Sequence, residues 1–240
     1  MDKQQIIPKG NGAGIRRMFD AIAPSYDLLN RIISMGLDRS WRQETVRRVA
    51  IEKPMHILDL ASGTGDLAID LAKTLPEATI VAADLSTEML QIGQKKAAQQ
   101  GVQHAILPTP CDALAMPFKN NSFDAVTCAF GVRNFYNLPD ALQEMKRVLT
   151  PGGLLAVLEL CEPVGWVRPF YKAHAFHIIP FVGKVVGHNK KAYQYLPKSI
   201  ERVAQRETFT NILKQQGWER VTYRTFTPGV CALYIAYKPL

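Results

Sequence analysis

The sequence predicts an α/β fold, a mostly parallel sheet with helices on both faces that is closed by a terminal antiparallel hairpin. Three observations lead there. Continuous apolar segments alternate with stretches whose apolar residues recur every three or four positions, the pattern of buried parallel strands and covering helices. A glycine turn, Gly63-x-Gly65-x-x-Ala68, joins the first such segment to its helix. After residue 205 the order changes to helix, strand, turn, strand.

Taken in order, MHILDL (55–60) reads as a buried strand and DLAIDLAKTL (66–75) as its helix. TIVAAD (79–84) is the second strand, and TEMLQIGQKKAAQQ (87–100) an amphipathic helix stopped by Gly101. QHAIL (103–107) is a short third strand and FDAVTCAFG (123–131) a fourth. LPDALQEMKRVL (138–149) is a helix ended by Pro151-Gly152-Gly153, before a fifth strand, LLAVLEL (154–160). RETFTNILKQQGW, ERVTYRTF and GVCALYIAYK supply the closing helix and hairpin. We expect one domain over 1–240: a helical N-terminal lid (1–53), a core (54–161), a helical insertion (162–205) rich in aromatic, basic and proline residues, and the closing unit (206–240). In the lid, a helix near Ile15–Ala23 breaks at Pro24, and a second helical piece ends in SWRQETVRRVA.

The bulk composition narrows the function. With 240 residues, 47% of them hydrophobic, the chain can bury a sizeable core. The opening MDKQQIIPKGNGAG lacks an apolar signal core and no apolar run reaches the ~18 residues of a membrane span, so a cytoplasmic protein is expected. Cys111, Cys128, Cys161 and Cys231 are scattered, which suggests neither a disulfide framework nor a metal site. The net charge of +8 is uneven: +4 over residues 1–53, −5 over 54–165 and +9 over 166–240. Basic flanks around an acidic centre point to an anionic partner, nucleic acid or a phospholipid surface, met by the flanks.

The glycine turn asks for a cofactor with a ribose. Gly63 and Gly65 let the backbone approach it, and Asp84, at the end of the second strand, can offer two carboxylate oxygens to two ribose hydroxyls. Asp59, just before the turn, would repel a pyrophosphate but suits a ligand carrying an ammonium and a sulfonium. The closing hairpin resembles the end of the Rossmann-like class I methyltransferase sheet, which binds S-adenosylmethionine, whereas a dinucleotide fold continues with parallel strands. The alternative for Asp84 is an ordinary turn acid.

Longer segments resemble one family. YDLLNRIISMGLDRSW (26–41), LDLASGTGD, AFGVRNF, RVLTPGGLLAVLELC (147–161), AFHIIPFVGKVVGHNKKAYQYLPKSI and TPGVCALYIAYK are similar, in order and along essentially the whole chain, to the UbiE/MenG C-methyltransferases of ubiquinone and menaquinone biosynthesis. Asp38, Thr150, Cys161 and Pro228 depart from the usual His, Lys, Ser and Gly of that pattern, and Ala129 stands where part of the family has Ser. The resemblance implies that Thr64, Asp84 and the Asp112-Ala113 pair bind S-adenosylmethionine. Asp112 could accept from the adenine amino group and the Ala113 N–H could reach a ring nitrogen, while Met89 and Phe130 could sandwich the base or, for Met89, pack in the core.

The resemblance also implies a reduced, demethylated prenylquinone as acceptor, benzoquinol or naphthoquinol. Methyl transfer to its ring carbon needs a stabilised phenolate and a proton acceptor. Arg133 is the candidate for the first task, with an internal pair to Asp27 or Asp124 as the alternative. Asn134 could orient a water that takes the proton; Asp27 and His177 are other acceptors. Lys172, Lys184, Lys190, Lys191 and Lys198, interleaved with Trp166, Phe170, Tyr171, Phe176 and Phe181, suit a peripheral membrane contact or a solvated face over core aromatics. A nucleic-acid methyltransferase is disfavoured because FGVRN occupies the place of the N-P-P-Y-like loop, and Pro110-Cys111 comes too early for a cytosine-methylating nucleophile. A non-catalytic cofactor-binding scaffold is the remaining alternative.

Overall fold

In the computed structural model, residues 12–163, 165 and 199–240 are described. The chain runs α1 (Gly12–Ile22), α2 (Tyr26–Ile33), α3 (Asp38–Ala50), β1 (His56–Leu60), α4 (Asp66–Thr74), β2 (Thr79–Asp84), α5 (Thr87–Gln99), β3 (Ile106–Pro110) and β4 (Phe123–Ala129). It continues with α6 (Leu138–Val148), β5 (Leu149–Leu160), α7 (Glu207–Gln215), β6 (Glu219–Phe226) and β7 (Cys231–Tyr237). The strands form one sheet in the order β3-β2-β1-β4-β5-β7-β6. All pairs from β3 to β5 are parallel, and β7 runs antiparallel to both β5 and β6. The connections reverse direction between β1 and β4, the switch point beyond whose carboxyl ends open α/β sheets bind ligands.

Each strand feeds two cores because its side chains alternate. Leu58, Val126 and Leu155 enter the core shared with Met145, Phe209 and Trp218. Their neighbours Ile57, Ala125 and Leu154 enter the opposite core, with Trp41, Val49 and Leu71. The helices start where expected from their caps: Ser86 Oγ accepts from Met89 N at 3.2 Å to begin α5, and Asn137 accepts from Asp140 N at 3.3 Å to begin α6.

Three boundaries differ from the sequence reading. Residues Gln103–Ala105 form a 3-10 turn, with Ala105 N donating to Val102 O at 3.1 Å, and β3 starts only at Ile106. β3 is an edge strand, which is where Pro108 and Pro110 are tolerated. β5 begins at Leu149 and takes in Pro151-Gly152-Gly153, read in the sequence as the stop of the preceding helix before a strand starting at Leu154. That segment pairs with the chain after β7: Gly152 N donates to Lys238 O, and Lys238 N to Gly153 O, both at 3.0 Å. The piece after Pro24 is two helices, divided at Met35 (φ 53°) and Gly36 (φ 77°). Residues 164 and 166–198, with most of the expected insertion, lie outside the described residues.

Candidate active site

The site is assembled where β1, β2 and β4 end. After Leu60 the chain enters positive φ at Ala61 (54°), Gly63 (56°) and Gly65 (79°), a path natural for glycine and strained for alanine. A Cβ on Gly65 would sit 3.4 Å from the Gly93 Cα of α5, so loop and helix approach at backbone distance. The turn is tied to β2 by Ser62 N donating to Ala83 O at 3.0 Å.

Asp84 closes the arrangement. Its Oδ2 accepts from Gly63 N and its Oδ1 from Ser86 N, both at 2.8 Å, so one carboxylate organises the loops after β1 and β2. Burial pushes its pKa up, and the Ser86 and Gly63 N–H groups oppose that rise. Beside it lies a cleft lined by Gly63, Asp84, Met89, Asp112, Ala113 and Phe130 among others. These six come from the cofactor set read in the sequence. Asn134 also lines it, as do Ile15, Phe19 and Tyr26 of the N-terminal helices, and Ser86 and Tyr136. Asp112 is held in the wall, with Oδ1 accepting from Leu114 N at 3.0 Å and Oδ2 from Tyr136 Oη at 3.2 Å. The sequence reading had assigned no role to Ile15 and Phe19. Their spacing of four on an amphipathic helix was the signal for a wall residue, but not for which wall.

Among the described residues, the other expected ones, Thr64, Gly65, Asp59, Asp27 and Arg133, are absent from the cleft lining. Thr64 is buried, and its hydroxyl donates to Asp27 Oδ1 at 2.5 Å. Gly65 lies on the far side of the turn, against a second cavity under α5. Asp59 is 1% exposed and accepts from Thr127 Oγ1 at 2.7 Å. Desolvation raises its pKa to about 7; the Thr127 hydrogen bond works against that, while the charge of Asp84 adds to it. Asp27 accepts from Lys96 Nζ at 2.7 Å as well as from Thr64. His177 lies outside the described residues.

Arg133 has an internal partner that the sequence reading did not name. Its Nη1 donates to Glu159 Oε1 at 2.6 Å and to Phe130 O at 2.5 Å, and its backbone N donates to Glu159 Oε2 at 3.2 Å. The two side chains are 5% and 3% exposed. Asp124 instead accepts from Met55 N and His56 N at the start of β1, and Asp27 pairs with Lys96. Sheet order explains the change. β4 lies beside β5 with Ala129 opposite Leu158, so the turn after β4 meets the residue after Leu158. Arg133 thereby pins the Phe130 carbonyl, at a left-handed φ of 58°, and the next residue has no room for a side chain: a Cβ on Gly131 would lie 2.6 Å from Ala61 Cβ.

The model of the ubiE/COQ5 methyltransferase family matches residues 8–238. The chain belongs to that family. It is 43% identical to the demethylmenaquinone methyltransferase of Thermus thermophilus over 92% of this chain and 100% of that one. It is 40% identical to the enzyme of the same name from Porphyromonas gingivalis, over 93% and 92%. With the ubiquinone/menaquinone biosynthesis C-methyltransferase UbiE of Syntrophotalea carbinolica the identity is 39%, over 95% and 96%. Among solved structures, the [4+2]-cyclase SpnF superposes with a TM-score of 0.71 at 17% identity, covering 94% of this chain and 95% of that one. A SAM-dependent methyltransferase from Aquifex aeolicus gives 0.58 at 20%, covering 80% and 89%. At such identities the likeness concerns the fold, the class I methyltransferase fold read from the hairpin.

This family membership makes the protein an S-adenosylmethionine-dependent methyltransferase, and the cleft fits that donor. A bare backbone at Gly63 faces Tyr26, where a Cβ would come within 3.7 Å of the ring. Two N–H groups orient the carboxylate of Asp84, which keeps lone pairs for hydroxyls. Met89, Ala113 and Phe130 give an apolar slot for a flat base. If Asp84 holds the ribose of the donor, Asp84→Ala should weaken donor binding by about 1.5–3 kcal/mol, the range for hydrogen bonds to a charged group. Calorimetry returning wild-type affinity would remove Asp84 from the site.

Proposed function

We propose that this protein methylates a ring carbon of a reduced, demethylated prenylquinone, converting demethylmenaquinol to menaquinol or carrying out the equivalent benzoquinol step. The observation that carries the reading is the end-to-end similarity to the Thermus thermophilus demethylmenaquinone methyltransferase. S-adenosylmethionine supplies an electrophilic methyl group on a sulfonium; the chain must bind the quinol, exclude water and manage one proton.

In this reading the aromatic side chains of Phe19, Tyr26 and Tyr136 enclose the ring, and the N-terminal helices keep water out. Arg133 stabilises the phenolate. Supporting this, its positive charge favours the ionised form of Tyr26, itself a phenol on the cleft wall, although burial raises the Tyr26 pKa overall. Because Glu159 shares the guanidinium, Arg133 delivers the field of an oriented pair and not of a lone cation. Asn134, on the cleft wall, orients the water that accepts the quinol proton. Asp27 is the weaker acceptor, since Lys96 and Thr64 already engage both of its oxygens.

No helix among the described residues is long and apolar enough to cross a membrane. A prenyl tail gains about 0.8 kcal/mol per buried methylene and stays in the bilayer. We therefore assign the basic, aromatic segment 162–205 to reversible contact with anionic lipid. One experiment tests substrate and surface together. The enzyme and isotopically labelled donor are mixed with each reduced demethylated quinone embedded in anionic or neutral vesicles. Mass spectrometry should find carbon methylation of the naphthoquinol, faster on anionic vesicles at low salt. Methylation of neither quinol, including tail-truncated ones, refutes the substrate; equal rates on both vesicles, unchanged by salt, refute the lipid contact.

A further inference from the structure

We propose that Asp20, Asp27 and Lys96 form a two-point clasp that holds α1 and α2 across the donor cleft, and that Lys96 is the positioning residue that sets its strength. The inference rests on the reading of this cleft as the donor site. α1 contributes Ile15 and Phe19 to the cleft wall, yet none of its residues is buried. Apolar packing alone therefore holds it weakly, and a few polar contacts decide its position.

Those contacts end on the two loops that Asp84 organises. From α1, Asp20 Oδ1 accepts from Ser86 Oγ at 2.5 Å, and Ser86 is both the cap of α5 and a backbone donor to Asp84. From α2, Asp27 Oδ1 accepts from Thr64 Oγ1 at 2.5 Å, and Thr64 follows the other backbone donor, Gly63. One carboxylate from each of α1 and α2 is thus tied to one of the two loops.

Lys96 adds charge to the second point. From α5 its Nζ reaches Asp27 Oδ2 at 2.7 Å and Thr64 Oγ1 at 3.3 Å, and it also pairs closely with Asp66 at the start of α4. Asp66 in turn meets Arg42 Nη2 at 3.1 Å, and Arg42 Nη1 meets Asp38 at 2.7 Å, with Asp70 at 3.8 Å from Nε. Two cations stand among four carboxylates, so loss of Lys96 leaves Asp27 and Asp66 repelling across the gap it spans. The Lys96 side chain is 20% exposed and that of Asp27 38%, so water and salt reach the pair. Such a contact suits reversible opening better than permanent attachment. Lys96 is absent from the cleft lining and acts through Asp27 and Thr64.

The test compares wild type, Lys96→Gln, Lys96→Arg and Asp20→Ala by steady-state kinetics, trypsin cleavage at Arg16, Arg17 and Arg31, and calorimetry with S-adenosylhomocysteine. Lys96→Gln should raise the donor KM roughly three- to tenfold, the reduction expected when the competent closed form is only partly populated, while kcat changes by less than about twofold. Cleavage in the lid should quicken, and Lys96→Arg should restore both readouts. High salt should shift wild type toward Lys96→Gln and leave that variant nearly unchanged. A folded Lys96→Gln with wild-type donor KM and cleavage overturns the clasp, as does an equal salt response in both proteins. Should Lys96→Gln fail to fold, Asp20→Ala removes the acceptor of Ser86 and cuts the other point, and wild-type KM and cleavage in that variant overturn the proposal equally. Wild type that binds no S-adenosylhomocysteine refutes the donor cleft itself, whereas tight binding with no difference among variants refutes the clasp alone.

Discussion

Removing one partner of the Arg133–Glu159 pair destabilises the protein by about 3–5 kcal/mol, because the remaining charge stays buried after losing its 2.6 Å contact with the opposite charge. Both side chains are nearly inaccessible, and the pair spans the turn after β4 and the end of β5. Urea denaturation of Arg133→Ala and Glu159→Ala should show the full loss, whereas the double variant Arg133→Met/Glu159→Leu should recover much of it. Single variants within about 1 kcal/mol of wild type would mean that water reaches the pair on little rearrangement. The same variants separate holding a turn from acting on substrate. If Arg133 stabilises the quinol phenolate, Arg133→Ala lowers turnover far more than donor affinity, Arg133→Lys rescues poorly because a point charge cannot replace the fork, and raised pH partly restores the rate. Equal losses of rate and donor affinity would confine Arg133 to its contacts with Phe130 and Glu159.

Asp59 should make the protein less stable as pH rises from about 4 to about 7. Its folded pKa, raised to about 7 from an ordinary 3.8, means that the unfolded chain releases this proton first. Below pH 4 both states hold the proton and nothing is lost. Between the two values only the native state binds it, so unfolding gains ground with pH, and above 7 the penalty is constant at about 4 kcal/mol. Asp59→Asn keeps an acceptor for Thr127 and removes the titration. Its advantage over wild type should grow across that window and then level off. A stability difference that is flat from pH 4 to 8 would show that the carboxyl is ionised throughout in the native protein. Donor binding offers a second reading of the same group. The cationic end of S-adenosylmethionine favours the ionised carboxyl, so binding near pH 7 expels a proton, which calorimetry in buffers of different ionisation enthalpy detects.

Much of the fold was legible because it is encoded locally. The 3.6-residue and continuous apolar periods marked the strands and helices, and the positive-φ turn could be placed by its glycines. The break at Pro24 was equally plain, whereas the second break, at Met35-Gly36, has Gly36 as its only signal and was passed over. Pro151-Gly152-Gly153 misled in the opposite sense. Those residues stop a helix, yet distant pairing with Lys238 draws them into β5.

The candidate site divides along the same line. That Gly63, Asp84, Asp112, Ala113 and Phe130 share one cleft was readable because a strand's carboxyl end and the turn after it are defined by position in the chain, and clefts of open sheets lie there. Partners were not readable. Asp59 was read as a charge near the ligand and is hydrogen-bonded to Thr127; Asp27 was one candidate proton acceptor and holds Thr64 and Lys96; Arg133 was read as meeting a substrate anion, or else Asp27 or Asp124, and pairs with Glu159. By itself the sequence determined the alternation of elements, the glycine turn and the acid at the end of β2. Only the tertiary structure decided which charge meets which, because an ion pair depends on the strand ends that the order β1-β4-β5 brings side by side, and no local period records that order.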